Sequence, residues 1–254
     1  MRPLVLKVLT YNIHKGFNPG NSAHILEPIR EAIRGVDPDL VFLQEILGEH
    51  TQHRKRIPDW PEDSQFEFLA KEVWPHYAYG KNAVYTHGHH GNAVLSKFPI
   101  KHWENIDVSS NRVESRGMLH GMLQLARLSP PLHFFCMHLS LFERGRRTQV
   151  QALCDRINAL VPRECPLIIG GDFNDWRGRA TATLEKQTGV REAFQAFQSS
   201  HARSFPAKFP LLTLDRFYFR GIEMVNAAVL DGTPWSSLSD HLPLLCEFSV
   251  GGAR

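Results

Sequence analysis

The sequence predicts an α/β fold in which stacked β-sheets are flanked by helices. Short apolar runs typical of strands outnumber the helical segments along the 254 residues. The helical segments come in small numbers between groups of strands. Because a sheet and a helix must each bury an apolar face against another element, stacked sheets with helices outside them suit this pattern. Periodicity alone leaves the order of the strands open.

The first half of the chain predicts three strands and one helix. Leu4–Asn12 alternates apolar and polar residues, which is typical of a strand. A helix is expected over Ser22–Arg34, since its isoleucines fall on one face at helical spacing. Strands are expected over Asp39–Glu45 and Ala93–Ser96. The glycines in His87–Asn92, "HGHHGN", favour a flexible loop leading into that last strand over a second metal site.

The second half predicts further strands and a long amphipathic helix. The helix is expected from Arg144 to Leu160, because its apolar residues repeat at helical spacing and form one face. Two short helical segments are expected between Thr181 and Gln198. The expected strands are His120–Arg127, His133–Leu141, the apolar run that begins at Pro166, Leu214–Arg220 and Leu242–Val250.

Composition sets bounds on the molecule. The length and a hydrophobic content of 43% suit one large domain over residues 1–254. With 29 Lys and Arg against 26 Asp and Glu, the net charge is +3, which argues against a broad polyanion-binding surface. Binding of one phosphate in a pocket is compatible with this balance. Oligomeric state and peripheral membrane contact are left open.

The cysteines and the N-terminus predict a cytoplasmic protein. The four cysteines lack the spacing of a zinc site and are expected to be reduced and buried. The first apolar segment is short and interrupted by Lys7, unlike a signal peptide. No run approaches the ~20 apolar residues that a membrane span requires. The cysteines are Cys136, Cys154, Cys165 and Cys246.

Two short basic segments have more than one interpretation. "RGRR", Arg144–Arg147, stands where the long helix should begin, and cations there oppose the helix dipole. A nearby anion would explain them, although a solvated helix face is preferred. "HRKR", His53–Arg56, is followed by Trp60 and could contact a polyanion or a membrane surface. A solvated insertion loop is the preferred interpretation.

The stretch "PLIIGGDFNDW", Pro166–Trp176, places polar side chains at the end of a predicted buried strand. Asp172, Asn174 and Asp175 would then lie at the carboxyl end of the strand, where ligands bind in open α/β sheets. A turn that caps the next helix is the structural alternative. A calcium loop of the EF-hand type is excluded, because Arg177 stands where that loop requires glycine.

Other predicted strands also end or begin in polar residues. They contribute Asn12 and His14, Gln44 and Glu45, His138, and the "SDH" triplet Ser239–His241. Asp215 lies inside a strand pattern, where an acid is costly unless it is paired, and a histidine is an obvious partner. Carboxylates gathered at one edge repel each other, and a divalent cation relieves this. Oxygen ligands without cysteine favour Mg²⁺ or Mn²⁺ over zinc.

Seven segments between Thr10 and Leu244 carry a family resemblance. Together, in this order, they resemble the endonuclease/exonuclease/phosphatase superfamily, the DNase I-like metal-dependent phosphohydrolases. The resemblance implies an α/β fold built as a four-layer α/β/β/α sandwich with its site at one end of the paired sheets. The segments are "TYNIHKG", "DLVFLQE", "GNAVLSKFP", "MHLS", "GGDFNDW", "LDRFY" and "SDHLPL".

The resemblance also implies roles for single residues. Glu45 is similar to the principal metal ligand of the family, with Asn12 and Asp240 on the metal or the phosphate. Asp172 and Asn174 resemble the pair that orients the attacking water. The phosphate contacts implied are His241, supported by Asp215, then His138 and Arg116. One departure is His14, which stands where many DNA-repair members have Asp or Asn.

These observations predict a Mg²⁺- or Mn²⁺-dependent phosphodiesterase-type hydrolase acting on a small or lipid-like phosphodiester. The alternatives are a nuclease on DNA or RNA, a phosphomonoesterase, and a non-catalytic phosphate-binding module. The expected partner is a phosphate-ester substrate. Nucleic acid is a possible substrate but is not the preferred one. Whether Asp172 or His241 accepts the proton of the attacking water is left open, as is the number of metal ions.

Overall fold

The computed structural model describes residues 4–111, 113–125 and 130–251, which form twelve strands and seven α-helices. The strands are β1 Leu4–Asn12, β2 Leu40–His50, β3 His76–Tyr85, β4 Gly88–Ser96, β5 Ile100–Asp107, β6 Gly117–Leu123, β7 Leu132–His138, β8 Leu167–Asp172, β9 Arg191–Glu192, β10 Asp215–Arg220, β11 Glu223–Val229 and β12 Leu244–Val250. The helices are α1 Leu26–Val36, α2 Thr51–Arg56, α3 Gln65–Ala70, α4 Glu143–Leu160, α5 Arg179–Thr188, α6 Ala193–Gln198 and α7 Trp235–Leu238.

The strands form two six-stranded mixed sheets. The first sheet has the order β11-β12-β1-β2-β4-β3, and the second has the order β5-β6-β7-β8-β10-β9. Each sheet contains one parallel pair at its centre, β1 with β2 and β7 with β8, and the other pairings are antiparallel. Parallel neighbours end at the same edge of a sheet. The two strands of each central pair therefore present their carboxyl ends at one edge of their sheet, where predicted site residues lie.

Three apolar clusters hold the layers together, as expected for stacked sheets that each bury both faces. The cluster between the sheets includes Phe42, Phe134 and Phe217. A second cluster packs Ile29 of α1 against the outer face of the first sheet. A third packs Leu153 of α4 against the outer face of the second sheet. The four-layer α/β/β/α sandwich predicted from the sequence is confirmed.

Most predicted elements are present, with shifted ends. The first strand has its predicted bounds, whereas the first helix begins at Leu26 rather than Ser22. The two short helical segments between Thr181 and Gln198 correspond to α5 and α6. The strand expected over His120–Arg127 is β6, which ends at Leu123, and residues 126–129 lie outside the described part of the chain. All four cysteines are buried free thiols.

The loop prediction for His87–Asn92 was wrong, because β4 begins at Gly88 and pairs with both β2 and β3. The glycines serve close backbone approach rather than flexibility. A Cβ atom at Gly88 would lie 1.9 Å from the carbonyl oxygen of Glu49. One at Gly91 would lie 1.8 Å from the carbonyl oxygen of Gly80.

Other elements gave no clear pattern in the sequence. The strands β3, β5 and β11 were not predicted. The "HRKR" segment, expected to be an insertion loop, lies in the short helix α2, with Arg54, Lys55 and Arg56 exposed as predicted. Among the described residues, no helix combines the length and the apolar character needed to cross a membrane.

Candidate active site

The candidate site lies where the central strands of the two sheets end. His138 and Asp172 are the last residues of β7 and β8 and are paired in register. Asp215 begins β10 directly opposite Asp172. Asn12 ends β1 in the other sheet, and its side-chain nitrogen donates to Asp172 Oδ2 at 3.1 Å. The contact joins the two sheets, so residues 160 positions apart meet at one edge.

Three buried polar side chains, Asp215, His241 and Asp172, form a line at this edge, on the side of the second sheet. The Nδ1 atom of His241 lies 2.8 Å from Asp215 Oδ2. Its Nε2 atom lies 3.8 Å from Asp172 Oδ2. All three side chains are buried. Asp215 thus orients the imidazole of His241 so that its second nitrogen faces Asp172, and the histidine partner expected for Asp215 is present.

The environment separates the proton affinities of these groups. Burial raises the pKa of Asp172, the charge of Asp215 raises it further, and His241 opposes both. Burial alone would lower the pKa of His241, but the carboxylates of Asp215 and Asp172 outweigh it and the pKa is raised. Burial holds the pKa of His138 well below its ordinary value. The arrangement favours an imidazolium at His241, a neutral imidazole at His138 and a readily protonated Asp172.

Backbone geometry fixes the pair Asp172 and Asn174. The backbone nitrogen of Asn174 donates to Asp172 Oδ1 at 2.9 Å, and its side-chain nitrogen donates to the Leu139 carbonyl oxygen at 3.0 Å. Asn174 has φ +49°, a left-handed conformation that non-glycine residues adopt rarely. Asp175 has a different role and satisfies the first turn of α5, because its Oδ2 accepts a hydrogen bond of 2.6 Å from the Ala180 backbone nitrogen. The predicted turn that caps the next helix is therefore present at Asp175, while Asp172 lies at the carboxyl end of β8, with Asn174 just beyond it.

The predicted metal ligands lie on the first-sheet side of the edge. Glu45 has φ +55° at a β-bulge between Leu43 and Ile46, a feature that re-aims a side chain out of the strand. Its carboxylate is 3.5 Å from the Lys15 ammonium. Asp240 Oδ1 is 3.2 Å from His14 Nδ1, and both carboxylate side chains are partly exposed.

His14 connects these groups. Its backbone nitrogen donates to Asn12 Oδ1 at 3.2 Å, and its Nε2 atom is 3.0 Å from Asn21 Oδ1. The hydrogen bond to Asp240 raises the pKa of His14, and the charges of Asp240 and Glu45 act in the same direction. The oxygens of Asp240 and Asn12 thus contact His14, and the carboxylate of Glu45 contacts its neighbour Lys15. That donor set fits a hard cation such as Mg²⁺ or Mn²⁺.

A second, tighter group differs from this predicted set. Across the described residues, one set of Asp, Glu, His or Cys side chains is close enough to hold an ion jointly, with ligand atoms within 4.8 Å of one another. It consists of Asp172, Asp215 and His241. Two of its donor atoms already bond each other at 2.8 Å, whereas Asp215 Oδ1 is buried without a hydrogen-bond partner.

Arg116 lies beside the second-sheet residues. Its guanidinium is 3.3 Å from Glu114 Oε1, and its charge contributes to lowering the pKa of His138. Glu114 also accepts hydrogen bonds from the Ser140 hydroxyl and from the Leu141 backbone nitrogen. Arg116 is thus brought to the same edge as His138.

Three supporting residues were missed in the sequence. The Ser204 hydroxyl donates to Asp215 Oδ2 at 2.5 Å, and no local pattern marks a serine eleven positions away. Lys15 pairs with Glu45, and Glu114 holds Arg116. Lys15 stands inside the quoted segment "TYNIHKG", and Glu114 stands two positions before the predicted Arg116, so their charges were a usable signal. The ring of Phe205 also packs 4.9 Å from the ring of His241.

Known structures share this fold. The zebrafish protein TDP2, solved with a single-strand DNA product, is 17% identical with a TM-score of 0.71, covering 97% of this chain and 99% of that chain. A mannosyl-6-phosphatase from Bacteroides thetaiotaomicron is 18% identical with a TM-score of 0.73, covering 96% and 100%. At 17% and 18% identity, these similarities show a shared fold and no more.

Two comparisons of sequence decide the family. The uncharacterised protein YbhP of Escherichia coli K12 is 45% identical over 244 residues, which are 96% of each chain. The model of the endonuclease/exonuclease/phosphatase family matches residues 9–241, a span that contains every candidate residue described above. With its sandwich fold and its polar strand ends at one edge, this chain belongs to the endonuclease/exonuclease/phosphatase family.

Proposed function

We propose that this protein is a Mg²⁺- or Mn²⁺-dependent phosphodiesterase that hydrolyses a small or lipid-like phosphodiester. Its family makes it a hydrolase of the phosphoesterase or nuclease type. The observation that carries the proposal is the buried line Asp215–His241–Asp172 beside the oxygen-rich group of Glu45, Asp240 and Asn12. A phosphate-binding module has no need for a buried acid whose pKa is raised, so a non-catalytic role is disfavoured.

The residues suit in-line attack by water on phosphorus. Asp172 accepts the proton of the water as the new P–O bond forms and the bond to the leaving oxygen breaks. The His241 imidazolium donates a hydrogen bond to a non-bridging oxygen, and Arg116 and His138 contact the phosphate. A divalent cation held by Glu45, Asp240 and Asn12 would neutralise charge on the phosphate oxygens and the departing alkoxide. This assigns the role of general base to Asp172.

Charge favours a small substrate over long nucleic acid. Duplex binding draws on several Lys and Arg contacts to successive phosphates, yet the net charge is only +3. The guanidinium groups of Arg146 and Arg179 are engaged by Glu143, at 3.0 and 2.8 Å, whereas Arg144 and Arg147 beside them are exposed. The nuclease remains the second candidate, since a protein of the same fold was solved with a DNA product. A phosphomonoesterase is the third candidate, since another protein of the same fold is a mannosyl-6-phosphatase.

A substrate panel tests the order of these candidates. Glycerophosphodiesters and phospholipids should be hydrolysed with higher kcat/KM than supercoiled plasmid, single-stranded oligonucleotide or abasic duplex, at equal metal and two salt concentrations. Sugar phosphates test the monoesterase. Plasmid nicking at physiological salt that exceeds hydrolysis of every diester and lipid would replace the proposal with a nuclease.

The pair Asp215 and His241 should act as one unit. His241→Ala should lower kcat by about 10²- to 10³-fold, and Asp215→Asn should give a milder loss of the same kind. Because Asp215 works through the imidazole that it orients, the double variant should be little worse than His241→Ala alone. Steady-state kinetics of the four proteins measure this coupling. Losses that multiply would show that Asp215 acts independently of His241.

A further inference from the structure

Exposed apolar side chains gather on the loops beside the candidate site. Six of them, here called the loop-tip cluster, are at least half exposed, although large apolar side chains usually avoid water. They stand before β6, between β7 and α4, between β8 and α5, and between α6 and β10. The cluster consists of Val113 (87% exposed), Leu141 (64%), Phe142 (59%), Trp176 (51%), Phe209 (76%) and Leu211 (69%).

Hydrogen bonds join these loops to each other and to the site. The Leu141 backbone nitrogen donates to Glu114 Oε1 at 3.1 Å, which links the first two loops. The Asn174 side chain donates to the Leu139 carbonyl oxygen, which links the second and third. In the fourth loop, the Leu211 nitrogen donates to the carbonyl oxygen of Phe205, whose ring packs on His241. The loop-tip cluster therefore borders the candidate site.

Exposed cations accompany the apolar tips. Arg144, Arg147, Arg177 and Lys208 are exposed, and none of them forms an ion pair with another described residue. The Arg177 guanidinium lies 4.4 Å from the ring centre of Trp176. A groove of about 1150 Å³ between α4 and α5 is lined by Arg144 and Arg147. Two of the acids nearby are engaged by arginines, since Glu114 binds Arg116 and Glu143 binds Arg146 and Arg179. A third, Asp155, also lines the groove, is exposed and accepts a hydrogen bond from Gln151.

We propose that the loop-tip cluster and these cations bind the surface of an anionic phospholipid bilayer. Leucine, phenylalanine and tryptophan side chains would enter the boundary between headgroups and acyl chains, where such residues are favoured. The arginines would contact lipid phosphates, which attract basic residues near an anionic leaflet. Val113, Leu141 and Leu211 have no ring to stack on a nucleobase, so single-stranded nucleic acid suits the cluster less well.

The orientation that follows would turn the candidate site toward the membrane. This step rests on the proposed function, because it makes a lipid phosphodiester of the same bilayer the substrate. Membrane binding itself needs neither metal nor turnover. The membrane proposal and the proposed function can therefore fail separately. For this reason vesicle binding is measured in EDTA, where no metal-dependent hydrolysis takes place.

Co-sedimentation with vesicles tests the surface. The wild type should sediment with phosphatidylcholine vesicles that contain phosphatidylglycerol, and far less with phosphatidylcholine alone. The double variant Leu141→Ser/Phe142→Ser should bind more than about tenfold more weakly, since two large apolar groups no longer enter the interface. The variant Arg144→Glu/Arg147→Glu should lose the preference for anionic vesicles, because its charge now repels them.

A matched control replaces exposed apolar residues at the opposite edge of the fold. Val5, 44% exposed, lies near the start of β1, and Leu160, 41% exposed, ends α4. The double variant Val5→Ser/Leu160→Ser should sediment like the wild type. Equal loss in this control, unchanged binding of Leu141→Ser/Phe142→Ser, or no binding by the wild type would overturn the membrane proposal.

A soluble substrate separates the two proposals. Leu141→Ser/Phe142→Ser should hydrolyse bis(4-nitrophenyl) phosphate at the wild-type rate, because the site is intact, while losing vesicle binding. A wild type that binds anionic vesicles but hydrolyses no diester would reject the proposed function and leave the membrane surface standing. Binding of single-stranded oligonucleotide that these serines abolish, without vesicle binding, would assign the cluster to nucleic acid instead.

Discussion

Asp172→Asn should lower kcat by about 10³-fold or more while changing KM only a few-fold, as expected when a proton acceptor acts mainly on the transition state. The amide has nearly the shape of the carboxylate and can still accept the 2.9 Å bond from the Asn174 nitrogen, although it loses the bond that Asn12 donates to Oδ2. It cannot accept a proton from water. Steady-state kinetics on a soluble diester at saturating metal give both constants.

The same change should raise thermal stability. Burial and the charge of Asp215 raise the pKa of Asp172, so the folded state binds this proton more tightly than the unfolded chain does. Ionisation above the unfolded pKa therefore costs stability, and the neutral amide removes that cost at neutral pH. Thermal unfolding in EDTA measures this effect without metal. A variant with wild-type kcat would contradict the role of Asp172, and one with a lower Tm would show that the lost bond from Asn12 outweighs the cost of ionising this carboxyl.

Chelation should abolish hydrolysis, and Mg²⁺ or Mn²⁺ added back should restore it. We expect this because the proposed ligands Glu45 and Asp240 would each offer a carboxylate to a hard divalent cation. The experiment uses protein dialysed against EDTA and then titrated with each ion. Full activity in a metal-free sample would reject the metal-dependent proposal.

Glu45 should dominate the metal dependence. Glu45→Gln removes one negative charge and should shift the metal titration to higher concentration by at least about tenfold, since loss of a ligand costs no less than loss of a residue that supports one. Direct binding of Mn²⁺, followed by its paramagnetic resonance signal, separates lost affinity from lost turnover. Glu49→Gln is the matched control, because Glu49 lies on the same strand β2 but is exposed. An unchanged titration for Glu45→Gln would show that this carboxylate is not a ligand.

The sequence alone determined the type of fold and the family. Local periodicity identified β1 with its bounds and α4 within one residue of its start, because side-chain alternation and helical spacing depend on neighbours in sequence. Periodicity failed for His87–Asn92, where strands pair on both sides and the glycines allow their backbones to approach closely. The ordered polar segments pointed to the family, since each follows or precedes a strand that a sheet must align.

Only the tertiary structure decided which polar groups meet. Asn12 reaches Asp172 across 160 residues, and the Ser239 hydroxyl reaches the Asn12 carbonyl oxygen across 227. Such contacts depend on the pairing of strands and on the stacking of two sheets, which no local pattern encodes. Tertiary packing also raised the pKa of both Asp172 and His241, because burial and the nearness of Asp215 arise only in the folded chain. The loop-tip cluster is known for the same reason, since exposure is a property of the folded surface.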